Sequence, residues 1–105
     1  MSRAPLVAFV VVLLATIVSC RARPTASECE AMLDRYLDMT IAADPTIAPM
    51  PPAQSEVARA MKKATKRGEE SYRKVAAQCR REVSRREYDC AMKAPTPNDW
   101  EACIE

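Results

Sequence analysis

The sequence predicts an all-α fold: a small disulfide-stapled bundle of about four helices, one long and three shorter, behind a signal peptide. Three observations carry this reading. Apolar residues recur at helical spacing from Cys29 to Ile104, and outside the leader there is no alternating pattern long enough for a strand. Helix-start signals stand at Ser27, Ser84 and Thr96. Of five cysteines, one ends the leader and four are left for the domain, an even number suited to two disulfides.

The leader comes first. Residues 1–5 read MSRAP, with one cation at Arg3, and Leu6 to Val18 is an uncharged apolar run. A membrane-spanning helix needs roughly 18 to 20 apolar residues. This run is shorter, so it reads as an export signal covering residues 1–19 rather than a permanent anchor helix.

The run ends on Ile17-Val18-Ser19-Cys20. These four residues resemble the lipobox of bacterial lipoproteins: an aliphatic residue, a tolerant position, a small residue and the cysteine. The resemblance covers about the first 20 residues and implies lipidation of Cys20. Its thiol would receive a diacylglycerol, cleavage would precede it, and the new amine would be acylated too. Two or three acyl chains hold a protein to a membrane with no protein contact, at about 0.8 kcal/mol per buried methylene. Arg21 follows where an Asp would favour inner-membrane retention, so the resemblance implies an envelope location on the periplasmic or outer-membrane face. Cys20-Arg21-Ala22 also fits an ordinary signal peptidase, which would release a secreted protein. That alternative stays open.

Cleavage before Cys20 leaves 86 residues: a lipidated tether over 20–26 and one helical domain over 27–105. A domain this small has a thin core and benefits from staples. Ser27 and Glu30 have the spacing of a capping box, so the first helix is expected to start there. Leu33, Tyr36, Leu37 and Ile41 share a side with Cys29, and Asp44-Pro45 ends the helix. Residues 45–54 are proline-rich and are expected to run semi-extended as a connection.

From Ser55 a long helix is expected. Val57, Met61, Ala64, Gly68, Tyr72, Val75 and Cys79 follow one another by steps of three or four, an apolar seam that would face the core. Gly68 on that seam admits a second helix at close range, or a bend. Ser84 and Glu87 form a second capping box for a short helix through Tyr88, Cys90, Ala91 and Met92. Thr96-Pro97-Asn98-Asp99 opens the last helix, with threonine as cap and proline at the first position. Trp100, Cys103 and Ile104 form its apolar face.

Cys90 and Cys103 lie about equally far from a turn near Pro95, so a helical hairpin pairs them. Cys29 and Cys79 pair by elimination. The other two connectivities stay open at this stage. The segment YDCAMKA with the later WEAC resembles small exported bacterial proteins with helical cysteine pairs, a resemblance that transfers no activity.

The formal net charge of +2 conceals an asymmetry. Residues 21–45 carry −2, residues 55–86 carry +7 and residues 87–105 carry −4. Arg59, Lys62, Lys66 and Arg73 follow one helical stripe, and Lys63, Arg67 and Lys74 an adjacent one. This band suits an anionic partner such as an acidic envelope protein or a cell-wall polymer, or else it neutralises the acidic helices of its own fold. Nucleic acid is not expected, because export removes the chain from it and the band lacks interleaved aromatics.

Without a histidine, neither a Ser-His nor a Cys-His nucleophile can be built from this chain. Zinc is not expected either, since there is no closely spaced cysteine pair. Glu69-Glu70 and Asp34 with Asp38 read as solvated helix faces rather than acid and base pairs. No phosphate loop, calcium loop or dinucleotide fingerprint is present, and no small-molecule substrate or cofactor is indicated. The expectation is a non-enzymatic, lipid-anchored binding or scaffolding protein of the envelope. The alternative is an inhibitor or immunity-type protein that uses the basic helix.

Overall fold

The structure, a computed structural model, describes residues 23–104. Cys20 and the rest of residues 1–22 lie outside the described residues, as does Glu105. Among the described residues five helices make up an all-α fold: α1 (Ala26–Ala42), α2 (Pro52–Gly68), α3 (Glu70–Glu82), α4 (Arg85–Lys93) and α5 (Pro97–Cys103). Among the described residues no helix is long and apolar enough to cross a membrane.

The central element is α1, which touches each of the other four helices. Its start differs from the sequence expectation. Thr25, not Ser27, is the N-cap: its hydroxyl accepts from the Glu28 amide at 3.3 Å, and Glu28 Oε1 accepts from the Thr25 amide at 3.0 Å. Two overlapping boxes, Thr25 to Glu28 and Ser27 to Glu30, compete in this stretch. The earlier one wins because Glu28 serves twice. It also accepts Arg85 Nη1 at 2.5 Å and Nη2 at 3.0 Å, pinning the start of α4 to the start of α1. That guanidinium, followed by the Thr25 amide, holds the Glu28 carboxyl down to about 2.

The core lies between α1, the second half of α3, and the α4–α5 hairpin. Cys29, Met32, Leu33, Cys79, Val83, Ala91, Ala94 and Trp100 are buried in it, with Tyr36, Tyr72, Ala76 and Tyr88 packed around them. Disulfides join Cys90 to Cys103, as expected from hairpin geometry, and Cys29 to Cys79, as expected by elimination. The first ties the start of α1 to the end of α3; the second closes the α4–α5 hairpin. Both short helices start where their caps predict, with Ser84 accepting from the Glu87 amide and Thr96 from the Asp99 amide, each at 3.1 Å. Arg35 Nη2 donates to the Ala94 carbonyl at 2.8 Å, and Trp100 Nε1 donates to the Met32 carbonyl at 3.1 Å.

Two further expectations need correction. Residues 45–54 do not run semi-extended. The Asp44 carboxylate accepts from the Thr46 amide at 2.8 Å and the Thr46 hydroxyl at 2.7 Å, and the Asp44 carbonyl accepts from Ile47 and Ala48. These bonds coil the segment into turns that bury Ile47, and α2 starts at Pro52, three residues earlier than expected.

The second correction concerns the long helix, which is two helices. Glu69 leaves the helical region, with φ −72° and ψ 146°. Gly68 explains the position of the break, since glycine costs a helix about 1 kcal/mol relative to alanine. No other part of the fold approaches Gly68: apart from its own turn of helix, a Cβ there would meet no atom within 4 Å. The bend is therefore what this glycine supplies, not close packing within the chain.

Candidate functional site

Breaking the helix at Glu69 frees α2 from the rotation that α3 needs to bury Cys79, and α2 turns the other way. Ser55 is its one buried residue, and Ala58, Lys62 and Lys63 are half-buried. The polar side of the helix thus faces α1. Lys62 pairs with Asp44 just beyond α1, Lys63 Nζ lies 2.8 Å from Asp38 Oδ1, and Arg67 Nε lies 3.3 Å from Asp34 Oδ1. Hydrogen bonds from Lys62 and then Thr46 hold the Asp44 carboxyl well below the usual carboxylate range.

The seven basic residues of the band therefore divide. Lys62, Lys63 and Arg67 are turned onto acids of the α1 side. Lys66 and Lys74 make local pairs with Glu69 at 3.4 Å and Glu70 at 3.6 Å. Among the described residues, no carboxylate lies within ion-pair distance of Arg59 or Arg73. The band is thus largely engaged within the fold and does not stand out as one free cationic surface.

The opposite side of α2 is the free one. Ala53, Gln54, Val57, Ala60, Met61, Ala64, Thr65 and Gly68 are all exposed, Val57 at 59% and Met61 at 66%. At 100° per residue these eight positions fill about 140° of arc over roughly 24 Å, with no charge among them. The apolar seam expected to face the core faces solvent along the whole of α2 and is buried only where α3 carries it to Cys79. Sequence reasoning found these residues but assigned them to the interior, because an amphipathic helix normally buries its apolar stripe.

A second feature opens beside the break. Leu33, Tyr36 and Leu37 of α1, Tyr72 and Val75 of α3, and Trp100 of α5 line a groove of about 490 Å³, with Lys66, Glu69 and Glu101 at its polar edge. The Tyr36 and Trp100 rings stack at 4.7 Å between centroids and an interplanar angle of 46°. Tyr36 donates to Glu101 Oε1 at 2.5 Å, and Tyr72 to Asp34 Oδ1 at 2.9 Å. The carboxylate raises the Tyr36 hydroxyl, and burial followed by the Asp34 bond raises that of Tyr72. Both hydroxyls stay protonated and already bonded within the fold, so they supply packing area rather than a base. Among the described residues, no group of three or more His, Cys, Asp or Glu is placed to hold a metal ion.

No family model matches this chain, and neither the curated proteins nor the solved structures give a significant match. The two disulfides point to an oxidising, non-cytoplasmic compartment, where such bonds form and persist.

Proposed function

We propose that this is a small lipid-anchored protein of the cell envelope, held by acyl chains on Cys20, that acts by binding or scaffolding rather than by catalysis. The seating of α2 carries the binding part of the reading. A domain that is stapled twice and still leaves a continuous uncharged helix face in water has kept that face for a partner. The lipobox motif at residues 17–20 supports the anchor. An inhibitor that docks through the basic band is the weaker reading, because Lys62, Lys63 and Arg67 are spent on internal carboxylates.

The anchor is tested by the intact mass of membrane-extracted protein. A chain beginning at Cys20, with added lipid mass and four further thiols that react only after reduction, is expected. A lipid-free chain beginning at Arg23 refutes the anchor. Binding is tested by a photo-crosslinking amino acid at position 61, illuminated in intact cells, with position 89 on the exposed side of α4 as control. An adduct from position 61 alone is expected. Its absence refutes binding through α2.

A further inference from the structure

We infer that the end of the domain where α1 starts is an arginine surface that rests on the anionic phospholipid headgroups of the membrane in which Cys20 is anchored. The inference rests on the lipid-anchor reading above and deepens it, by naming the side of the domain that the anchor turns to the membrane and what that side binds.

Three segments of the chain meet at this end. The Cys29–Cys79 bond and the Tyr72 hydrogen bond to Asp34 set α3 antiparallel to α1, so the end of α3 lies level with the start of α1. Arg85, in the first turn of α4, reaches both carboxylate oxygens of Glu28 and donates to the Arg23 carbonyl at 3.2 Å. The Ser84 amide and then its hydroxyl hold the Glu87 carboxyl down, and the charge of Arg23 adds a smaller push in the same direction. Arg23 therefore lies beside the start of α4, and Pro24 behind it is buried.

The positive charge gathered there is all arginine. Residues 23–30 and 79–87 hold five arginines and four glutamates. Glu28 and Glu87 are spent on the starts of α1 and α4, and Glu28 takes Arg85 as its ion-pair partner. Arg23, Arg80, Arg81 and Arg86 are exposed, and among the described residues no carboxylate lies within ion-pair distance of them. Glu30 and Glu82 stand against these four, and Glu82 already accepts from Gln78 at 2.8 Å. A guanidinium stays charged and offers a fork of donors that matches phosphate oxygens two at a time. Residues 39–58, at the other end of α1, contain Asp44 and Glu56 and no cation. The two ends of α1 thus differ in sign.

The tether keeps the distance short. Arg23 is three peptide steps from Cys20, at most about 11 Å of extended chain. That is close to the Debye length of about 8 Å at physiological ionic strength, so a lipid on Cys20 holds Arg23 and its neighbours within the field of the headgroups. Each Lys or Arg near such a surface raises its occupancy about fivefold. Arg21, outside the described residues, adds one more cation to the tether. The same orientation carries the first half of α2 away from the membrane, because Lys63 on Asp38 and Arg67 on Asp34 run α2 antiparallel to α1. Val57 and Met61 are then left clear for a partner.

The test uses the mature, membrane-extracted chain with its disulfides intact, after its intact mass has shown whether lipid is present. It is reconstituted in vesicles of phosphatidylcholine alone or with about 30% phosphatidylglycerol, which differ in surface charge and anchor the chain equally. Arginine side chains are labelled with phenylglyoxal and read site by site by mass spectrometry. Labelling of Arg80, Arg81 and Arg86 should fall about fivefold or more on the anionic vesicles, with Arg59 on α2 unchanged. The difference should vanish in about 0.5 M NaCl, where the Debye length is below about 5 Å. Arg80→Gln with Arg81→Gln should restore labelling at Arg86 without altering the far-UV circular dichroism, since both positions are exposed. A lipidated chain labelled alike on the two kinds of vesicle overturns the inference and leaves the anchor standing. Equal protection of Arg59, or protection of Arg86 that survives the double substitution, also overturns it. A lipid-free chain in the mass measurement overturns the anchor, and this inference with it.

Discussion

Replacing Val57 and Met61 together by alanine distinguishes two ways of seating α2. If the seam faced the core, Met61→Ala would cost about 2–5 kcal/mol and the two methyl groups of Val57 about 1.6 kcal/mol more. The 82 residues from 23 to 104 have a total stability of about 4–12 kcal/mol at ordinary values per residue, so that loss would unfold much of the population. In the observed seating the side chains removed are already wet, at 59% and 66% exposure. Each substitution should then change stability by no more than about 0.5 kcal/mol, with alanine's better helix propensity offsetting part of the lost contact. The assay is urea unfolding followed by far-UV circular dichroism. Protein concentration is kept where the midpoint no longer depends on it, so that self-association adds nothing. Leu33→Ala, at a site 7% exposed, serves as the buried control and should cost about 2–5 kcal/mol. A loss above about 2 kcal/mol in the double variant would refute the outward seating, because exposed positions do not produce effects of that size.

Other consequences are open to direct measurement. By loop-closure entropy, removing the Cys29–Cys79 bond by paired serine substitution should cost about 4 kcal/mol and removing Cys90–Cys103 about 3 kcal/mol; equal or reversed urea-midpoint shifts would contradict that ordering. Thr25→Ala should cost about 1 kcal/mol as the loss of a helix cap, whereas Ser27→Ala should be nearly silent, and thermal unfolding of the two variants decides which residue caps α1. The Glu28 carboxyl is held at about 2 against an ordinary 4.5, so its contribution is complete above pH 4.5 and is lost as pH falls from there through 2. Glu28→Gln should flatten acid unfolding in that window, and an unchanged acid limb would remove Arg85 as its partner. Amide exchange should be faster across α2 than across α1 and the second half of α3, because one residue of α2 is buried and the core lies elsewhere.

The parts of the fold legible in the sequence are those decided within a few residues. Ser84 with Glu87 and Thr96 with Pro97 act over one turn, so their caps stand as the spacing says. The Cys90–Cys103 pairing follows from a short hairpin, and Cys29–Cys79 from what remains. Competition and distance hide the rest. Thr25 and Ser27 each offer a box with a glutamate three residues on, and the choice turns on Arg85, 57 residues beyond Glu28. The proline-rich segment coils because Asp44 gathers the Thr46 amide and hydroxyl while pairing with Lys62. The orientation of α2 is the largest miss for the candidate site. Periodicity located the apolar and basic stripes correctly, but Asp34, Asp38 and Asp44 decide which stripe turns inward, and they are distant in sequence from the cations they meet. Cys20, the residue on which the anchor depends, lies outside the described residues.

An inverted helix has to be held by something other than its own burial. Half-exposed ion pairs contribute about 0–1 kcal/mol each, so Lys62, Lys63 and Arg67 orient α2 more than they stabilise it. Its ends are fixed instead. At one end the turns after Asp44 bury Ile47 and deliver the chain to Ser55. At the other, Glu69 passes it directly into α3, which the Cys29–Cys79 bond ties to the start of α1. A segment fixed at both ends has less conformational entropy to lose on ordering, so modest contacts suffice to keep it helical. The core formed by α1, α3, α4 and α5 therefore does not need the apolar stripe of α2. Taking Val57, Met61 and Ala64 from the interior and placing them on the surface costs this fold little, and the face they form is left to association.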